Sequence, residues 1–104
     1  MNVDGSLTKY VVFVDDIFHH MDESHRYKLG EYDSCNDAMN ECMKIVDEFI
    51  DKAYDEKISY QDLYSGYTMY GEDPFIISED GTCKFSAWSY AKKRCQALIN
   101  QRES

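Results

Sequence analysis

Basic residues are scarce in this chain of 104 residues, where 11 Lys and Arg stand against 20 Asp and Glu for a formal charge of −9. That field repels a phosphate backbone or an anionic lipid surface, so nucleic-acid and membrane binding are disfavoured, whereas a basic protein partner or a cation is accommodated. Proline occurs once, at Pro74, and glycine only five times, which excludes a low-complexity linker. The four cysteines, at 35, 42, 83 and 95, form no CxxC pair. No cationic and apolar leader precedes them, so their pattern predicts reduced thiols in a cytoplasmic protein. No apolar run approaches the roughly 20 residues of a membrane span.

Hydrophobic residues make up 43% of the chain and aromatics 14%, enough for one ordinary core. A polar leader over 1–8 precedes a single domain over 9–104. The long amphipathic stretch is 34–57. Cys35, Met39, Cys42, Val46, Phe49 and Ala53 recur at spacings of three and four, and Ala38, Ile45 and Ile50 widen the stripe. Ser34 followed by Asp37 supplies the start signal. Such a helix needs a surface to cover.

The uninterrupted run Tyr10 to Val14 reads as a strand at the centre of its sheet. Asp15 to His25 follows as a connection, with one helical turn that lets Phe18 and Met21 face inward. Arg26 to Tyr32 alternates as a second strand, antiparallel to the first, with Tyr27 and Leu29 on the covered face. Ser59 to Gly66 predicts a helix of two turns stopped by its glycine, and Tyr67 to Asp73 a loop packed on the body. Pro74 to Ser78 is the third strand, its leading proline suiting a start or an edge. Glu79-Asp80-Gly81 is a turn, and Thr82 to Phe85 a brief hairpin partner. Ser86 caps a last helix, 86–101, with Trp88, Ala91, Cys95 and Leu98 as its apolar stripe. The fold expected is α+β: a three-stranded, mainly antiparallel sheet with two main helices on one face, in the order β-β-α-α(short)-β-α.

Several stretches together resemble a family of small uncharacterised bacterial proteins. They are Val14 to Glu23 (VDDIFHHMDE), Arg26-Tyr27 with Gly30-Glu31-Tyr32, Cys42 with Ile45-Val46-Asp47, Tyr67 to Phe75 (YTMYGEDPF) and Phe85 to Trp88 (FSAW). The resemblance implies a single short domain and carries no activity. Ile17 and His20 depart from the family pattern, which weighs against His20 as a ligand.

Three features carry chemistry. The first is the Asp15 to His25 connection, whose Asp15, Asp16, His19, Asp22 and His25 are ligand types for Zn²⁺, Mn²⁺ or Fe²⁺, giving a divalent-metal protein or enzyme as the alternative reading. Their spacing matches no established site, and a solvated loop explains the same residues. The second is Cys35, placed where a helix N-terminus lowers a thiol pKa, although it also opens the apolar stripe and so reads as a small buried hydrophobe. The third is the aromatic second half. Tyr60, Tyr64, Tyr70 and Tyr90, rimmed by Asp62, Glu72 and Asp73, form a candidate binding patch, while Trp88 and Tyr67 read as core. The function that ranks first is a small non-enzymatic interaction or accessory module, with a protein partner or a second copy of itself, and no cofactor.

Overall fold

A computed structural model describes residues 9–19 and 25–103, apart from the side chain of His19. Its elements are β1 (Tyr10–Asp16), a 3-10 turn (Ile17–His19), β2 (Tyr27–Tyr32), α1 (Cys35–Ala53), α2 (Tyr60–Tyr70), β3 (Glu72–Ser78) and α3 (Ala87–Glu103). The architecture is the α+β one expected, with β1 central in the sheet order β2-β1-β3 and both pairings antiparallel. No helix among the described residues is long and apolar enough to cross a membrane. The expected leader, 1–8, lies outside the described residues.

β1 is central because its alternate valines fit a covered face. Val12 and Val14 are fully buried, and Val12 packs with Ala38, Cys42 and Ile76 beneath α1. The first turn of α1 is closed by Ser34, whose hydroxyl accepts from the Asp37 N–H at 3.0 Å. Its buried line runs Ala38, Cys42, Val46, Ile50. All four belong to the expected stripe, whose Met39, Ile45 and Phe49 are only half-buried, because the small side chains of Ala38 and Cys42 let the helix approach the sheet closely.

α3 runs parallel to α1. Tyr90 Oη donates to Asp47 at 2.8 Å, and Arg94 reaches Asp51 at 3.2 Å, so the sequence offset stays constant along the pair. Its buried line is Ala87, Ala91, Cys95. Trp88, expected in the core, is instead 43% exposed. Helices in contact through alanine and cysteine leave no room for an indole between them.

Four further expectations are corrected. Ser59 does cap α2, accepting from the Asp62 N–H at 3.0 Å, but the helix runs through Gly66 to Tyr70, and Glu72 and Asp73 already belong to β3. Glycine inside a helix costs about 1 kcal/mol, which burial of Leu63 and Tyr67 on either side outweighs. The stop falls at Gly71, where an added Cβ would lie 2.5 Å from Tyr67 Cδ1. In β2, the register steps from Val12↔Gly30 to Phe13↔Lys28, so Leu29 is the extra residue of a bulge, and Leu29 and Tyr27 are both exposed rather than covered. Ile17, not Phe18, faces inward, with its N–H donating to Gly71 O at 3.0 Å; Met21 lies outside the described residues.

The stretch between β3 and α3 forms no hairpin strand. It turns at Gly81, which has φ +70°, and Asp80 accepts from both the N–H and the hydroxyl of Thr82. Cys83 then bonds to Cys35. That disulfide overturns the reading of Cys35 as a free nucleophile or small buried hydrophobe and of both residues as reduced thiols.

Candidate functional site

The antiparallel register sets Asp15 of β1 directly opposite Asp73 of β3. Residues so paired share a face, with their Cβ atoms roughly 5 Å apart. These two carboxylates, with Ile17, Thr68 of α2 and Trp88 of α3, line a cleft of about 340 Å³. The Arg26 guanidinium holds Asp15 through two bonds, at 2.6 and 3.0 Å, and lies 5.1 Å from the centroid of the Phe75 ring. The Asp73 carboxylate accepts no hydrogen bond among the described residues. Burial pushes its carboxyl above the usual aspartate value, and the neighbouring Asp15 adds to the rise.

The sign of that shift is testable. A raised carboxyl pKa means that the folded state binds more protons than the unfolded one between the ordinary and the raised value, so Asp73 makes stability fall as pH rises through that window. Asp73→Asn is thus expected to be more stable than the parent at about pH 7, and equal to it at about pH 3, where both side chains are neutral. Urea unfolding at the two values checks this. A variant less stable at the higher pH would show that the carboxylate is satisfied in the fold.

Large aromatics are exposed close along the chain to the lining residues Ile17 and Thr68. Phe18, which follows Ile17, is 60% exposed and stacks on Tyr70, itself 59% exposed, with ring centroids 5.5 Å apart. Trp88 contributes both to the lining and to the surface.

The sequence-derived patch is divided by the structure. Asp73 lines the cleft, and Tyr70 follows the lining Thr68 by two residues and stacks on Phe18. Tyr60 and Tyr64 stack on each other at 5.9 Å and pack, half-buried, against the core. Tyr90 is half-buried, and burial together with its bond to Asp47 pushes its hydroxyl up to about 12. It faces a separate, open groove along α1 with Tyr32 and Lys44. Asp62 lies exposed in the first turn of α2, and Glu72 accepts from Tyr27 Oη at 3.4 Å beside α1.

The metal-ligand set does not come together among the described residues. Asp15 is taken by Arg26, Asp16 accepts from the Phe18 N–H at 3.0 Å, and His25 is exposed. The side chain of His19, and His20, Asp22 and Glu23 entirely, lie outside the described part. No group of three or more His, Cys, Asp or Glu among the described residues is placed to hold a metal ion. Cys42 and Cys95 are buried, and desolvation pushes their thiols up to about 12 and about 11, the opposite of nucleophile activation.

Reading the sequence missed Ile17, Thr68, Trp88 and the facing of Asp15 by Asp73. The last was hidden because β3 begins two residues earlier than its proline, so the strand-end register could not be set. No protein family, curated protein or solved structure matches the chain, and the reading of the site rests on its chemistry.

Proposed function

We propose that this chain is a small protein-interaction module whose docking face is the aromatic surface of Phe18, Tyr70 and Trp88 around the Asp15–Asp73 cleft. The observation that carries the reading is that Trp88 is exposed and lines the cleft, while Phe18 and Tyr70, one and two residues along the chain from the lining Ile17 and Thr68, form an exposed stacked pair. Single exposed apolar residues are normal on any surface, but several large aromatics gathered around a concavity mark an anchor point for a partner. The acidic field of the chain adds a rate advantage for a basic partner, because rim charge acts mainly on association.

The test is capture from lysate at low salt with the parent and with the double variant Tyr70→Ser/Trp88→Ser. Ile77→Ser serves as the control, since Ile77 is 53% exposed at the other end of β3. The expected result is that a partner held by the parent and by Ile77→Ser is lost, by about tenfold or more, from a double variant that remains folded. Sedimentation of the pure protein tells whether that partner is a second copy. Retention of every partner by the folded double variant would refute the docking face.

A further inference from the structure

Building on that docking face, we propose that the Asp15–Asp73 cleft takes the cationic side chain, lysine or arginine, of a partner's peptide segment, with Asp73 as its counter-charge and Trp88 as its apolar wall. The occupant follows from the lining. Two carboxylates face each other across adjacent strands, and only one of them is bonded, by Arg26. Asp73 lines the same cavity, and its carboxylate accepts no hydrogen bond among the described residues. An anionic or neutral polar ligand would add repulsion or leave the charge unanswered, and a purely apolar one would desolvate it further. A cation on an aliphatic stem answers the carboxylate and lays its methylenes along Ile17 and the indole.

The protein already uses this chemistry on itself. Arg26 joins a bidentate carboxylate bond on Asp15 to stacking over the Phe75 ring. A second cation from outside would repeat that pairing on Asp73, with Trp88 in the part of Phe75. The volume of about 340 Å³ falls within the about 300–1,000 Å³ of cavities that hold small ligands and is ample for one long side chain. Flanking apolar residues of the segment would then meet Tyr70 and Phe18 outside the cleft.

The experiment uses the full chain and three blocked tripeptides, Phe-Lys-Phe, Phe-Arg-Phe and Phe-norleucine-Phe, acetylated and amidated. Trp88 is the single tryptophan, so its fluorescence and its indole N–H signal report on the cleft directly. The lysine and arginine peptides are expected to bind at least about tenfold more tightly than the norleucine peptide, and Asp73→Asn to erase that preference while the variant stays folded. Equal binding of all three peptides, or a preference that survives Asp73→Asn, would overturn the cation assignment and leave the aromatic docking face standing. Failure of all three to perturb Trp88 would also overturn it. The docking face itself stands or falls separately, on the capture with Tyr70→Ser/Trp88→Ser.

Discussion

Replacing Tyr67 with alanine is expected to cost about 3–5 kcal/mol, the range for truncating a large buried aromatic. Tyr67 is fully buried, with its ring edge-on to Phe49 at 5.8 Å, Gly71 closed against it, and its hydroxyl donating to Glu72 O at 2.6 Å. One side chain thus joins the end of α2 to the start of β3 and fills the space under α1. A domain of this size is stable by about 5–15 kcal/mol in total, so the alanine variant loses a large share of it and unfolds at markedly lower urea. Tyr67→Phe separates the two contributions. It keeps the ring and loses only the hydroxyl bond, at about 1 kcal/mol. An alanine variant within about 1 kcal/mol of the parent would show that the core is not centred on this residue.

The second large effect is that of the Cys35–Cys83 bond, which closes a loop with a sequence separation of 48. Chain entropy assigns such a crosslink about 4 kcal/mol, through restriction of the unfolded chain. Cys35→Ala/Cys83→Ala is expected to fall short of the parent by about 2–4 kcal/mol, since Cys83 is buried and its truncation cannot be neutral. Treating the parent with reductant should reproduce most of that loss. Thiol titration supplies an independent check. The native protein should expose no reactive thiol, because Cys42 and Cys95 are buried, and two more should titrate after reduction and unfolding than after unfolding alone. Four thiols titrating without reduction would show that the bond does not form. A bond of this kind persists where the surroundings are oxidising, whereas the cysteine pattern alone predicted reduced thiols.

The fold was legible where one physical signal dominated. The run Tyr10 to Val14 read as an inner strand and is one, and the period of α1 marked a helix from Ser34 on, although it stops at Ala53 rather than at the expected 57. The sequence misled where two signals competed. Gly66 looked like a helix stop, yet the true stop at Gly71 depends on how closely Tyr67 approaches it, a tertiary contact with no local signature. Trp88 looked like core because tryptophan is apolar, whereas the line Ala87, Ala91, Cys95 shows that close helix contact selected small residues. In the site, Asp73 and Tyr70 were visible as members of an acidic and aromatic stretch. Their relation to Asp15 and Trp88 was not, because it comes from strand register and from the rotation of α3 about its axis. The disulfide was illegible for the same reason, since 35 and 83 are joined by topology and not by spacing.

Both outer strands of the sheet are unsuited to extension. β2 is broken by the extra residue at Leu29, and β3 carries Pro74, which has no N–H to offer a neighbour. Among the described residues, the backbone groups of the outer strands are thus interrupted at Leu29 and at Pro74, which disfavours edge-to-edge pairing. The same geometry sets how recognition works here. Registering a partner's backbone against this sheet as an added strand is disfavoured, which leaves selection to the side chains it inserts.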